Sequence, residues 1–323
     1  MLRVFLQSTV NVLYLEAEVH KGVFMKRITV LLGSLLASFS SLYATSTGSY
    51  DNPLYGTAMI KAIPHYEKFG EVFTLLQHEW FWKGFLIALF LVPVAGGIHY
   101  LLIGPKVFSH HGKKIYAFSL LMRVMHNLAA LSFLVIVPTG FVMAFGEVFG
   151  GGTFVRICKI LHAFATPVFA ITVLPMIIAW IRDMFPNSDD IKWMMIVGGY
   201  LSKEKKPVPA GKFNAGQKAW FWIAMPGGII MILTGGLMYF LNLNLSPIAT
   251  SFGLNQIDLL RISAMIHNIL GMVVATFFMV HVYMAAIAIK GAIHSMISGY
   301  KEEEEVAILH SSWYKQLKDQ GKV

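Results

Sequence analysis

The sequence predicts an all-α integral membrane protein, and three observations carry that expectation. Apolar residues make up 56% of the 323 and charged residues only 13%, against about 25% charged in a soluble domain. Five apolar runs are each long enough to cross about 30 Å of hydrocarbon: roughly Phe81 to Ile103, Val124 to Phe145, Ile157 to Ile181, Ala219 to Leu241 and Arg261 to Lys290. None alternates polar and apolar residues as a lipid-facing strand would, so each is expected to be a helix that satisfies its own backbone in lipid.

The mean hydropathy of +0.62 fits the same reading. The net charge of +9 does not call for a nucleic-acid partner, because the basic residues gather between the apolar runs. The connection from Gly104 to Arg123 carries Lys106, Lys113, Lys114 and Arg123, and that from Arg182 to Lys218 carries seven Lys or Arg. Between them the two alternate connections, Gly146 to Arg156 and Asn242 to Leu260, hold one basic residue, Arg156. The positive-inside rule puts the two basic connections and the C-terminus in the cytoplasm and the start of the first span outside. The expected setting is a bacterial inner membrane.

Ahead of the spans, MKRITVLLGSLLASFSSLYATS (residues 25–46) has the basic start, short apolar stretch and small-residue end of a signal peptide. Cleavage after Ala44 puts Leu42 at the third position back, whereas Ala44-Thr45-Ser46 fits better; an uncleaved anchor is the alternative. The expected order is an over-extended start (residues 1–24), the signal (25–46) and a polar periplasmic segment (47–80). An extra transmembrane helix (81–103), a four-helix membrane domain (104–299) and a cytoplasmic tail (300–323) follow. The acidic run KEEEEVAIL in the tail reads as a solvated face.

Cys158 is the single cysteine, so the chain cannot by itself supply an iron–sulfur cluster's thiolates or a C-x-x-C-H haem attachment. It reads as a small packing residue. The histidines are more informative. His267 and His281 stand fourteen residues apart on one apolar run, which brings them within about 40° of each other and separates them by about 21 Å along a helix. His162 opens an outward-to-inward helix, as His267 does; His126 opens an inward-to-outward helix, at the depth of His281. Two pairs at two depths, each from two helices, meet the need of two six-coordinate haems for an imidazole on either side of each iron. Helix-to-helix hydrogen bonding is the plainer use of any single one. The second ring nitrogen of each ligand should find a carbonyl or hydroxyl partner. Gly140, Gly235, Gly236 and Gly271 offer backbone relief for a flat macrocycle, and Arg123 is a candidate for a propionate or simply a membrane anchor. His99, in the extra helix, reads as a structural or quinone-proximal residue.

Four blocks make the pattern more specific: RVMHNLAALSFLVIVPTG; ICKILHAFATPVFAI through DDIKWM; GKFNAGQKAWFW; and RISAMIHNILG through HVYMAAIAIKGAIHSMISG. With the tail SSWYKQLKD they cover most of residues 120–318, and they resemble the gamma (cytochrome b556) subunit of respiratory, membrane-bound formate dehydrogenases. The first span resembles the extension of the longer bacterial members. The resemblance implies a di-haem cytochrome b bundle of four helices plus one extra N-terminal transmembrane helix. His162 and His267 would then hold the iron of the periplasmic haem b, and His126 and His281 that of the cytoplasmic one. It places menaquinone beside GKFNAGQK, where Asn214 and Gln217 are the candidates to meet a quinone carbonyl or its proton-delivering waters; on residues alone that stretch reads as a turn before a helix.

The implied partners are a periplasmic iron–sulfur (beta) subunit, a molybdenum or tungsten catalytic (alpha) subunit, quinone and lipid. Electrons would run from the iron–sulfur subunit through both haems to menaquinone in anaerobic respiration, with no formate chemistry in this chain. The nearest alternative is the cytochrome b subunit of a nickel–iron hydrogenase or thiosulfate reductase. A transporter or structural anchor without haem is the alternative of another class.

Overall fold

The computed structural model describes residues 69–109, 112–240 and 244–323; the predicted signal (25–46) and the stretch before it lie outside these. Five helices are long and apolar enough to cross a membrane. They are α1 (Glu71–Leu102), α2 (Leu120–Ala144), α3 (Gly152–Met184), α5 (Ala215–Tyr239) and α7 (Gln256–Tyr283, continued as a π-turn to Ala288). Each takes in all or most of one of the five apolar runs. The short helices are α4 (Ser188–Met195), α6 (Ser246–Ser251), α8 (His294–Ser298), α9 (Glu303–Leu309) and α10 (Ser311–Asp319).

Hydropathy finds the spans, and polar caps decide where they begin. Ser119 accepts from the Met122 amide at the start of α2, Asn214 from Gln217 at α5, and Asn255 from Asp258 at α7, each satisfying a donor that a helix start leaves bare. Helix α1 begins at Glu71, ten residues before the apolar run predicts, because EVFTLLQHEW continues the same helix through a π-turn at Leu76–Trp80. Residues 71–80 of the expected polar segment 47–80 are thus helical, and residues 47–68 lie outside the described residues. Prolines lie inside every spanning helix except α7. In lipid they are tolerated where neighbouring groups take up the freed carbonyls.

The antiparallel hairpins α2–α3 and α5–α7 pack together, and α1 lies along α7. Contact there is close: a Cβ on Gly84 would stand 2.4 Å from the Met272 sulfur, and one on Gly96 3.0 Å from the Tyr283 ring. His99 of α1 bonds Tyr283 through Nδ1 at 2.5 Å and the Tyr200 carbonyl through Nε2 at 2.8 Å. Both nitrogens are thus used in holding α1 to its neighbours, a structural role. The bundle middle is aromatic: Phe133 stacks on Phe278 at 5.3 Å and meets Phe169 at 4.9 Å. Cys158 is buried and free. Large apolar side chains such as Ile171, Leu174, Ile178 and Leu233 stay exposed on the helix surfaces, as expected of helices that meet lipid. The chain is a multi-pass membrane protein.

At the basic end the tail folds back. Strands β1 (Lys114–Tyr116) and β2 (Tyr300–Glu302) pair antiparallel, and residues 208–210 exchange backbone hydrogen bonds with Ile308, Ser311 and Trp313. This corrects the expectation of a solvated acidic run. Glu305 is buried and ion-paired with buried Lys301, Val306 is fully buried, and Glu304 reaches Lys205 at 2.8 Å. Glu305 pairs within the run, whereas Glu302 and Glu304 find Lys114 and Lys205 from other connections, which a linear charge pattern cannot reveal.

His310 locks this cap. Its Nδ1 meets the Gly211 carbonyl at 2.8 Å, and its ring lies 2% exposed against Trp313. Burial, with the Lys301 charge adding to it, lowers its pKa from 6.5 to about 3. Because the docked pKa is the depressed one, the released tail binds the proton first, so docking is strongest above pH 6.5 and weakens as pH falls toward 3. At pH 5 the loss is about 2 kcal/mol. Deuterium uptake in residues 303–319, corrected for intrinsic exchange, is expected to rise between pH 7.5 and 5, and His310→Gln to flatten that dependence.

Candidate functional site

The four membrane histidines come together as two pairs. His126 from the start of α2 and His281 from the end of α7 have ring centres 6.1 Å apart, tilted by 59°. His162 of α3 and His267 from nearer the start of α7 stand 6.5 Å apart, tilted by 55°. Helix α7 supplies one ring to each pair. The fourteen-residue spacing puts the first pair toward the basic end and the second toward the opposite end.

The separation has a chemical meaning. Two imidazoles bound to one metal ion through bonds of about 2 Å, with each nitrogen about 1 Å from its ring centre, hold those centres about 6 Å apart. Both pairs match it. A pair brings only two ligands, and among the described residues no group of three or more His, Cys, Asp or Glu could hold a bare ion. Two facing imidazoles fit a metal whose remaining ligands come from a macrocycle, as a haem supplies them.

Ring orientation at the second pair is tightly specified. His162 Nδ1 stands 3.1 Å from Thr139 Oγ1 and 3.1 Å from the Ile136 carbonyl; His267 Nδ1 stands 3.0 Å from Thr234 Oγ1. These are the hydroxyl and carbonyl partners expected of ligand second nitrogens. Beside each threonine sits a glycine against the same ring. A Cβ on Gly140 would lie 3.6 Å from His162 Cε1, and one on Gly235 3.1 Å from His267 Cε1. Gly236 and Gly271 do not face the rings: a Cβ on Gly236 meets nothing within 4 Å, and one on Gly271 meets Met231. Branching at Gly235 therefore has to push an imidazole already held at Nδ1. Gly235→Val is expected to lower the haem-to-protein ratio by about one haem of two, whereas Gly97→Ala, in open space on α1, leaves the ratio unchanged; a pyridine haemochrome assay reads both.

The first pair is built differently. His126 Nδ1 is buried without a hydrogen-bond partner, and His281 stacks on the Trp220 indole at 5.6 Å and 20°. Arg123, a turn before His126, donates to the Ile297 carbonyl and so ties α2 to α8. Asn214 and Gln217 form a reciprocal capping box at α5: Asn214 Oδ1 accepts from the Gln217 amide at 3.0 Å, and Gln217 Oε1 from the Asn214 amide at 2.9 Å. Both carbonyl oxygens serve the helix start, and the amide NH2 groups are the donors that this box does not use.

Thr139, Thr234 and Trp220 are absent from the expectations read off the sequence. A signal for the threonines exists as a duplication. Thr-Gly-x-x-Met-x-Phe recurs at 139–145 and 234–240, and Arg-Ile-x4-His at 156–162 and 261–267. The two hairpins thus carry the same Thr-Gly and His elements, facing one another across the second pair.

Comparison with known proteins agrees with a haem bundle. The cytochrome b556(Fdn) subunit of the nitrate-inducible formate dehydrogenase of Escherichia coli (strain K12) is 28% identical over 160 residues, 49% of this chain and 70% of that protein. The cytochrome b556(fdo) subunit of formate dehydrogenase from the same strain is 26% identical over 166 residues, 50% of this chain and 72% of its own. A Haemophilus influenzae formate dehydrogenase cytochrome b556 subunit is 24% identical over 165 residues, 50% of this chain and 64% of its own. The family model described as prokaryotic cytochrome b561 matches residues 117–299, which take in both hairpins and all four paired histidines. With more than half its length matched, the chain belongs to the prokaryotic cytochrome b561 family.

Proposed function

We propose that the chain is the membrane di-haem cytochrome b subunit of a formate dehydrogenase complex, passing electrons from an iron–sulfur subunit outside the membrane to menaquinone at the cytoplasmic side. The observation that carries this reading is the pair of imidazole pairs, each spaced for one shared metal ion and set at opposite ends of α7. The formate dehydrogenase subunits among its relatives supply the complex. Haem b, when bound, supplies reversible one-electron chemistry.

The chain's own residues do the rest. His162 and His267, with Nδ1 beside threonine hydroxyls, would hold the outer haem, and His126 and His281 would hold the inner one. The aromatic cluster of Phe133, Trp220 and Phe278 packs against His281 and excludes water from the bundle middle. At the basic end the Asn214 and Gln217 amide NH2 groups are the proposed donors to a quinone carbonyl. In this reading the basic end faces the cytoplasm of a bacterial inner membrane, and the mature N-terminus and the iron–sulfur and molybdenum or tungsten subunits lie on the other side. Moving an electron inward opposes the membrane potential by about 2.3 kcal/mol per 100 mV, so the transfer conserves energy.

Purification from the native membrane tests the proposal through haem quantification and identification of co-purifying subunits. Two b haems per chain with an iron–sulfur and a molybdenum or tungsten subunit support it. Recovery with a hydrogenase large subunit moves the chain to the nickel–iron hydrogenase class, and a reduced-minus-oxidised spectrum without b-type bands leaves an anchor or transporter.

A further inference from the structure

The two imidazole pairs differ in what holds their second nitrogens. A threonine hydroxyl has one hydrogen to give. Thr139 Oγ1 lies 2.6 Å from the Val135 carbonyl and Thr234 Oγ1 2.8 Å from the Ile230 carbonyl, so each hydroxyl donates back into its own helix. Its oxygen is then left to accept, and the group before it is Nδ1 of His162 at 3.1 Å or of His267 at 3.0 Å. Donor accounting thereby fixes the Nδ1–H tautomer on both rings and leaves the Nε2 lone pair for a metal. At the other pair, His126 Nδ1 is buried with no partner.

We propose that Thr139 and Thr234 are positioning residues that make the haem held by His162 and His267 the lower-potential member of the two. The inference rests on reading the two pairs as haem ligands. An imidazole that gives its Nδ1–H to an acceptor is a stronger donor at Nε2, and a stronger donor stabilises ferric iron over ferrous. Both ligands of the outer haem have such an acceptor, one from each hairpin, whereas at His126 no hydroxyl or carbonyl bonds Nδ1 and the polar neighbour is the Asn127 side chain. With haems bound, one electron supplied by an iron–sulfur donor would pass from the iron held by His162 and His267, which would be reoxidised, to that held by His126 and His281, which would be reduced, with no proton moved. The duplicated Thr-Gly element gives that transfer a downhill direction toward the basic end.

The test is a spectroscopic redox titration of the purified holo-complex, with His162→Ala identifying the outer-haem transition by its loss. In Thr234→Val, and in the double variant with Thr139→Val, the outer transition is expected to move upward; Thr139→Val alone moves it less, because the Ile136 carbonyl still stands 3.1 Å from His162 Nδ1. At a fixed poise the ferrous-to-ferric ratio of that haem rises roughly threefold or more, with haem content unchanged and the inner transition in place. Thr139→Ser and Thr234→Ser, which keep the hydroxyl, return it toward wild type. An unmoved outer transition at full haem content overturns the inference, as do serine variants that shift as far as the valine ones. Loss of haem from both valine variants, with serine variants loaded at the wild-type potential, also overturns it and leaves the threonines a purely structural role. Unchanged haem content in His162→Ala is a separate failure, that of the ligand assignment.

Discussion

His281→Ala is expected to take the chain from two b haems to about one, and His162→Ala to remove the other instead. In the proposed ligation each substitution deletes one of the two protein ligands of its haem and leaves the facing imidazole, His126 or His267, alone across the 6.1 or 6.5 Å between ring centres. No third His, Cys, Asp or Glu stands ready to take the place, since among the described residues none joins either pair. His126→Ala should reproduce the His281→Ala spectrum and His267→Ala that of His162→Ala, because the pairing runs across helices at one level. Double replacement of His267 and His281 should empty the bundle. Haemochrome quantification with reduced-minus-oxidised spectra reads all of these, and full haem content in any single variant defeats that residue's assignment. His281→Ala also removes the partner on which Trp220 stacks, so its loss should be the less reversible when external imidazole is added.

Why some of this was legible in the sequence and some was not has a physical basis. Lipid admits only self-satisfied helices, so apolar runs report the spans directly, and helical spacing with alternating loop charge sets each histidine's depth. The pairs follow from those two constraints. The threonine contacts do not, because Thr139 and Thr234 look like ordinary helix-bonded hydroxyls until the hairpins are superposed and the repeated Thr-Gly falls on the same ring edge. Nor does the tail: Lys301, Glu305 and His310 are buried by segments about a hundred or more residues away, through β1 and the 208–211 stretch. Asn214 and Gln217 show the opposite difficulty. Their spacing is that of a capping box as much as of a ligand contact, and the fold uses their carbonyl oxygens for the cap.

Lys218, which ends the GKFNAGQK block, is where substitution should cost the fold most. It is 5% exposed and reaches the Asp190 carboxylate at 2.7 Å and the Phe185 carbonyl at 3.1 Å. Asp190 in turn accepts the Asn187 amide at 2.7 Å and closes the capping box of α4. One ammonium therefore ties the end of α3, the start of α4 and the first turn of α5, next to the cap made by Asn214 and Gln217. Trp193 of α4 closes the same junction. It lies so near Gly198, at φ +61°, and Gly216 that a Cβ would approach it to 2.5 and 3.2 Å. Lys218→Met leaves a buried carboxylate unpaired, at a cost of about 3–5 kcal/mol. The expected result is a lower thermal midpoint for haem release and slower quinone reduction, with the outer haem still reducible. Asp190→Leu combined with Lys218→Met removes both charges and should recover most of the thermal loss, since paired apolar residues of similar volume cost little in such a place. The double-mutant cycle separates the two roles. If stability returns with the double variant and quinone reduction does not, the ammonium itself serves the quinone end. If both return together, Lys218 acts only by holding Asn214 and Gln217 in place.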